Sequence, residues 1–408
     1  MSILKSSDDH LTINADGSGK AIKFQADGVQ KASISSAGLL TSTTIDATAL
    51  TGNLPAIDGS SLTGLTAPIG KNLIINGAMQ VSQRGTSFAA IGNGVYSLDR
   101  WQFFNSSIGA YTVTQDSSGP AGFANSLKID CTTADASPAS GDYLELMYRL
   151  EGQDLQHLKK GTASAESVTL SFWVKCNKTG DMQVNVKDVD NDRQIGNTVT
   201  INSADTWEQK SLTFAGDTTG ALGDDSSNSI FIEWWLDSGS SLSSGAVPTS
   251  WEARVDTDRN AGGTLALADS TSNYINITGV KLEVGTAATD YDHRSYGEEL
   301  SLCERYYHRH TANIAGAGIC AGVVYNTTSA AAAYRYPTIM RTNPTLSYSD
   351  VGDFRVLYTT TKVVTAISGI ETISGVRLWF NSSGMTAGNG MIIDANNTSC
   401  WIAFDAEL

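Results

Sequence analysis

The sequence predicts an all-β chain, and three observations carry that prediction. Apolar and polar residues alternate with period 2 in segment after segment, as in VTLSFWVK, MQVNVK and IFIEWWL. Clusters of Gly, Ser, Asn and Asp separate these segments, and only one stretch, near Ser295, carries a useful helical period. The first seventy residues place their apolar side chains singly or in pairs among short polar turns. Such a segment buries too little surface to offset its own ordering entropy unless it borrows neighbours. The expected architecture is therefore a thin β-structured stalk or attachment segment over 1–70, an antiparallel jelly-roll sandwich over 71–302, and a small C-terminal β domain over 303–408.

In the N-terminal segment, strand-like alternation occurs at Leu11 and Ile13, at Ile22 and Phe24, and at Ile34. Leu-Thr-Gly recurs at Leu50–Gly52 and Leu62–Gly64, while Pro55 and Pro68 forbid helix and sit badly in a central strand. Short extended pieces, each turning one apolar residue toward a symmetry axis, fit this pattern better than a solvated linker.

From Lys71 the texture changes. Val168, Leu170, Phe172 and Val174 point to one side of their strand, and Thr169, Ser171, Trp173 and Lys175 to the other. Met182, Val184 and Val186 repeat the pattern. Ile230, Ile232, Trp234 and Leu236 share a face opposite Phe231, Glu233 and Trp235. The alternation through Ile275 and Ile277 changes step at Gly279 before resuming at Val280, Leu282 and Val284, which predicts a β-bulge. Period-2 strands at this density predict two packed antiparallel sheets.

Ser295, with Glu298 three residues on, is a capping box, and Leu300, Cys303 and Tyr307 share a helical face. A short linking helix is expected over 296–309. Beyond it, glycines 316, 318 and 322 and their β-branched neighbours favour strands over helix, as do FRVLYTTTKVVTAI, SGVRLWF, GMIIDA and SCWIAFDAEL. The small side chains of this last region suit close packing between subunits.

The net charge of -15 is uneven. Residues 1–70 carry four basic and six acidic side chains, residues 303–408 seven of each, and the middle 16 against 29. No basic stripe exists, which argues against nucleic acid and anionic membrane surfaces as partners. No run of about 20 apolar residues predicts membrane insertion, and no apolar leader predicts a signal peptide. Cys131, Cys176, Cys303, Cys320 and Cys400 are odd in number and form no CxxC pair, so they read as buried free thiols.

The chemistry-bearing residues are few. No GxSxG, Walker or HExxH motif is present, so no catalytic residue is assigned and binding without turnover is expected. Glu233 is the one acid embedded in an apolar strand, and burial there would raise its pKa. Glu304 and His308, i and i+4 on the expected helix, could share a metal, although such a pair is more often a solvated helix face with an ion-pair-like contact. Asp188, Asp190 and Asp192 alternate as in the start of a calcium loop, yet Arg193 and Val199 stand where such a loop needs Gly and Glu. No cofactor is expected; a structural calcium at these aspartates is the leading metal candidate, with Asp256 and Asp258 a weaker version of the same pattern. Trp173, Trp235 and Trp251 are the candidate platforms for stacking against sugar faces, whereas Asp99, Arg100 and Trp101 read as structural: a salt-bridged arginine beside an indole that closes the sandwich.

Three motifs carry a resemblance. LIINGAMQVSQRG, SLDRW and ITGVKLEVGTAATDYDHRSYGEELSLCERYY resemble phage and prophage fibre proteins (tail or capsid fibres) whose central module looks like a carbohydrate-binding jelly roll. DGSGKAIKFQADGVQKASISSAG and LTGNLPAIDGSSLTGL resemble stalk and attachment segments of such fibres. Together these touch about three quarters of the chain. The resemblance implies an elongated homotrimer on the exterior of a virion, attached through its N-terminus to a tail or capsid protein and able to contact host-surface glycans. It implies synthesis in the host cytoplasm. A free carbohydrate-binding protein is the alternative, and a glycan depolymerase a more distant one.

Overall fold

The computed structural model describes residues 21–26, 29–34, 40–42 and 72–408. The chain divides into two compact units, Met1–Leu65 and Thr66–Leu408. In the first, β1 (Ile22–Ala26), β2 (Val29–Ile34) and β3 (Leu40–Ser42) form one antiparallel sheet in that order. It leaves Phe24 and Val29 exposed, as expected where the local sequence offers no core. The repeats around Leu50–Gly52 and Leu62–Gly64, the two prolines and the Leu11–Ile13 alternation lie outside the described residues.

The second unit contains two hydrophobic cores. Around the first are thirteen strands: β4 (Ser87–Phe88), β5 (Val95–Tyr96), β6 (Trp101–Ser106), β7 (Ala110–Asp116), β8 (Ser126–Thr133), β9 (Tyr143–Glu151), β10 (Val168–Cys176), β11 (Gly180–Asp188), β12 (Arg193–Ile201), β13 (Glu208–Phe214), β14 (Asn228–Ser238), β15 (Glu252–Ala253) and β16 (Tyr274–Val284). They make a six-stranded sheet, β13-β10-β16-β8-β7-β4, and a seven-stranded sheet, β15-β12-β11-β14-β9-β6-β5. Most successive strands cross between the sheets, while β5–β6, β7–β8, β11–β12 and β14–β15 each stay within one, the winding of a jelly roll. The alternation read from sequence places the side chains as expected: Leu170, Phe172, Val184, Ile232, Trp234 and Ile277 fill the space between the sheets. The change of step near Gly279 is a bulge in β16 opposite Ser171–Trp173. Glycine is required there, because φ is +61° and a Cβ would lie 2.7 Å from the Phe123 ring.

Helix α2 (Tyr296–Glu304) starts at the expected capping box, with the Ser295 side chain and the Glu298 carboxylate each taking the other's backbone N–H. It is shorter than the sequence suggests. Residues 307–311 are not helical but form β17 (Tyr307–Thr311), paired antiparallel with β26 (Trp401–Asp405). Tyr307 and His308 are buried and Arg309, His310 and Thr311 progressively less so; tertiary pairing with a hydrophobic strand outweighs the local helical period.

Around the second core lie β17, β18 (Gly318–Val324), β19 (Ser329–Arg335), β20 (Thr345–Tyr348), β21 (Phe354–Leu357), β22 (Thr361–Val363), β23 (Ala366–Thr372), β24 (Gly375–Asn381), β25 (Gly390–Ala395) and β26. One sheet is β17-β26-β20 and the other β22-β21-β25-β18-β19-β24-β23. β22 and β23 are the two edges of the larger sheet, yet only Val364 and Thr365 separate them in sequence. Two residues span less than about 11 Å, so the sheet curls back until its edges nearly meet. Val364 donates to the Phe354 carbonyl and Thr365 to the Asn381 carbonyl, which bridges that gap.

The two cores are joined by a buried polar junction. Arg100, 1 % exposed and at φ +75°, pairs with Glu407 and donates to the Arg149 carbonyl at 2.6 Å. Its guanidinium lies 3.5 Å from the Tyr306 ring centroid. Beside it, Arg84 pairs with Asp405 at 3.1 Å and Glu407 at 3.4 Å. Asp99 accepts two hydrogen bonds from Gln83, whose amide also donates to the Tyr307 carbonyl. Burial raises the Asp99 carboxyl to about 6 against the opposing pull of Arg84. Trp101 packs on Tyr148 and Trp234 and donates to the Asn76 carbonyl. Glu407→Gln leaves the Arg100 charge buried with its main partner gone. The expected loss is about 3 kcal/mol, read as a lower midpoint in denaturant unfolding, while a control at an exposed acid, Asp224→Asn, shifts it by less than about 0.5 kcal/mol.

Candidate functional site

The face of the seven-stranded sheet turned away from the core is unusually polar. Strand register sets its side chains in three rows. Arg149, Phe231, Lys187 and Gln194 form the first, Gln102, Met147, Glu233 and Asn185 the second, and Phe104, Glu145, Trp235 and Gln183 the third. Amides, carboxylates, cations and flat apolar rings thus alternate across a rigid sheet, the mixture that recognises hydroxyl-rich ligands with apolar faces.

The segment between α1 (Ser240–Ser243) and Gly263 closes over one end. Gln183 donates to the Asp258 carbonyl and accepts from the Gly262 N–H, and Asn185 donates to the Arg259 carbonyl. The Arg259 guanidinium lies 4.5 Å from the Trp235 ring centroid and 3.8 Å from Glu145 Oε2. Trp235 is consequently 0 % exposed, which corrects its assignment as a stacking platform: alternation put it on the non-core face, but a distant loop covers that face there. Glu233, on the same face, is buried and accepts from the Trp235 indole at 3.3 Å.

The other end remains open. Phe104, Arg149, Phe231 and Lys187 are half-buried. Arg149 lies 4.7 Å from the Phe231 ring and 5.8 Å from Phe104, with Lys187 5.7 Å from Phe231. Burial first, and the neighbouring Glu233 second, hold the Glu145 carboxyl well above the ordinary carboxylate range. Burial and then Arg254 lower the Lys187 ammonium. Gln102 Oε1, Glu145 Oε2, Arg149 Nε and Arg259 Nε are buried on or against this face without a hydrogen-bond partner. Orphaned polar atoms are rare in folded proteins, and each costs about 1–3 kcal/mol. Glu145 Oε2 and the Arg259 guanidinium face each other as an ion pair, which leaves Gln102 Oε1 and Arg149 Nε as the two on this sheet face without any such partner.

The other predicted platforms fall elsewhere. Trp251 packs against the core and donates to the Ala215 carbonyl at 2.6 Å. It lines a slot of about 30 Å³ with Leu155, Val168 and Ile230, too narrow for a sugar ring, so its role is packing. Trp173 is half-buried on the outer face of the six-stranded sheet beside the Gly279 bulge. On that sheet Lys175 stands 5.1 Å from the Trp207 ring and 5.9 Å from Tyr274, a cluster that sequence reasoning missed although all three lie at strand ends. Phe104, Arg149 and Glu145 were missed as well: their strands alternate less cleanly, and only the register reveals that they face Phe231 and Trp235.

Asp188, Asp190 and Asp192 do not converge. Asp188 takes Lys160 at 2.5 Å and the Asn191 side chain, Asp190 accepts from the Gly223 N–H, and Asp192 faces Lys187 at 3.8 Å. Among the described residues no three His, Cys, Asp or Glu side chains form a metal cluster. Instead the Lys160 ammonium sits among the oxygens of Asp188, Asp217, Thr219 and Gly220, at 2.5–3.1 Å. A built-in cation fills an oxygen cage. His308 bonds Glu304 at 3.3 Å through Nδ1 and the Tyr334 hydroxyl at 2.7 Å through Nε2, so both nitrogens are engaged, and burial lowers it to about 4.

No family model matches the chain, and no curated protein matches it at a significant level. Solved structures with a similar arrangement include a protein of Bacteroides thetaiotaomicron provisionally described as sugar-binding, with 15 % identity and a TM-score of 0.32 over 53 % of this chain and 100 % of that one. Another is the enzymatically active domain of tailspike protein 4 from bacteriophage CBA120, at 13 % identity and a TM-score of 0.26, covering 52 % of this chain and 21 % of that one. A family 61 carbohydrate-binding module in complex with β-1,4-galactotriose shows 9 % identity and a TM-score of 0.27, over 53 % and 99 % of the two chains. At these scores the likeness fixes neither ligand nor family for this chain.

The lysine-filled cage yields a direct expectation. Lys160→Ala leaves two carboxylates and two carbonyls around an empty cation position. Thermal unfolding of this variant is expected to fall below wild type in chelator and to recover as millimolar calcium is added, while wild type ignores both additions. A calcium-insensitive variant would show that the four oxygens do not form a cage.

Proposed function

We infer that the sandwich is a glycan-binding module working through the open end of its seven-stranded sheet, and that the chain serves as an adhesive fibre protein of a virion. The observation supporting the binding site is the pair of buried polar atoms without a hydrogen-bond partner, Gln102 Oε1 and Arg149 Nε, on the same face as half-buried Phe104 and Phe231, with the Glu145 carboxyl between them and Arg259. A sugar offers that surface what it lacks, hydroxyls for the amide, carboxyl and guanidinium and an apolar ring face for the phenyl groups. The fibre role rests on the motifs at 73–85, 99–101 and 282–307 and on the thin N-terminal segment, and with it go the homotrimer, the N-terminal attachment to a tail or capsid protein and the virion exterior. The work is adhesion, with several weak contacts adding through avidity rather than turnover.

Binding of the full chain to a glycan array, followed by titration with the best oligosaccharide, tests the site. Phe231→Ala and Arg149→Ala are each expected to weaken binding about tenfold or more, the size of one stacked ring or one charge-assisted hydrogen bond. Unchanged affinity in both variants, with their fold intact, would remove the site from this face. The solution mass of the full chain separates the two binding readings: a trimer supports the fibre, a monomer the free carbohydrate-binding protein. Release of reducing ends, lost in Glu145→Gln, would instead favour a depolymerase.

A further inference from the structure

The C-terminal unit carries a second candidate site, one that does not rest on the sandwich reading. The chain has thirteen arginines, all within the described residues. Eleven hold a hydrogen bond or an ion pair with their side chains, from Arg84 on Asp405 to Arg355 on Asp394. The two whose side chains hold none among the described residues, Arg335 and Arg377, are neighbours. They stand on adjacent strands β19 and β24, on the outer face of the curled sheet.

The register explains the space between them. Arg377 lies opposite Ala333 on one side and Ile370 on the other, and in the next row Gly375 lies opposite Arg335 and Thr372. Gly375 and Ala333 are the two positions in this block with almost no side chain, so the longer residues stand around a gap. The gap is an open hollow of about 420 Å³ lined by all six residues, the volume class of small-ligand sites. Ile370, 60 % exposed, gives it an apolar wall, and the Thr372 hydroxyl, bonded to the Gly375 carbonyl at 2.8 Å, gives it a polar one. Like charges on neighbouring strands repel, and two unpaired guanidinium groups are an unusual expenditure in a chain of net charge -15. Guanidinium pairs match the planar or tetrahedral oxygens of carboxylate, sulfate or phosphate.

We propose that the hollow between Arg335 and Arg377 binds an anionic saccharide unit, its acidic group held by both guanidinium groups and its ring against Ile370. A surface polysaccharide bearing uronate or phosphate groups supplies that chemistry, and two guanidinium groups without an acidic partner on an otherwise acidic body favour the approach of such a ligand.

Calorimetric titration of the full chain tests the assignment with three probes: tetragalacturonate, its neutral counterpart galactotetraose, and a glycerol-phosphate-bearing glycan. Tetragalacturonate or the phosphate glycan is expected to bind with an affinity that falls as salt rises, and whichever binds identifies the acidic group. Arg335→Ala and Arg377→Ala are each expected to weaken it about tenfold and the double variant more, while thermal stability stays equal or rises because a repulsion is gone. Neutral galactotetraose is expected to be unaffected by both substitutions. Binding unchanged in a folded double variant would overturn the proposal, as would failure of both anionic probes to bind. Loss of binding in Arg149→Ala but not in the double variant would assign the ligand to the sandwich. Equal affinity for a poly-glutamate peptide of the same charge would overturn the saccharide assignment in favour of an acidic protein partner.

Discussion

The second unit depends on one buried ion pair. Arg100 is held in a left-handed backbone conformation that costs a non-glycine residue about 1 kcal/mol or more, with its charge almost fully removed from water. Only a carboxylate in the right place makes that arrangement stable, and Glu407 comes from the far end of the C-terminal unit. The pair therefore fixes how the two cores sit against each other. Arg84 on Asp405, Arg305 on Glu151 and Arg341 on the Ser226, Ala406 and Glu407 carbonyls repeat the theme around it. An apolar seam could slide; arginines bound to named acceptors cannot, because each one-residue slip strands a buried charge.

The junction reaches the candidate site directly. Arg149, at its open end, has its carbonyl bonded by Arg100 and its guanidinium bonded to the Leu408 carbonyl, which also accepts from Tyr96. The guanidinium that lies over Phe231 is thus set by the C-terminal strand's tail as much as by its own strand. The far end of the same face is sealed by Arg259, which lies over Trp235 and beside Glu145. One arginine lies half-buried over Phe231 at the open end and the other covers Trp235, so a single sheet face is open at one end and sealed at the other.

The two proposed sites differ in kind. The sandwich face is amide-rich and partly neutralised, because burial and Glu233 hold the Glu145 carboxyl protonated into a higher pH range. The hollow on the curled sheet is shallow and positive. Under the proposed reading, the first would take a neutral unit of a polysaccharide and the second an anionic one.

Local pattern determined the inward faces of β10, β11, β14 and β16, the bulge at Gly279 and the capping box at Ser295, because each depends on residues within a few positions of one another. The Asp99-Arg100-Trp101 element read as structural, but the carboxylate that Arg100 meets, Glu407, lies 307 positions away and left no local trace. What sequence left open were the facts that depend on distant segments. Whether Trp235 is exposed is decided by Arg259, whether Asp188 binds a metal by Lys160, and whether residues 307–311 are helix or strand by β26. The hollow between Arg335 and Arg377 exists because register sets Gly375 opposite Arg335, a relation with no trace in the linear order. Local periodicity dictates which way a side chain points; only the folded chain decides what it meets there.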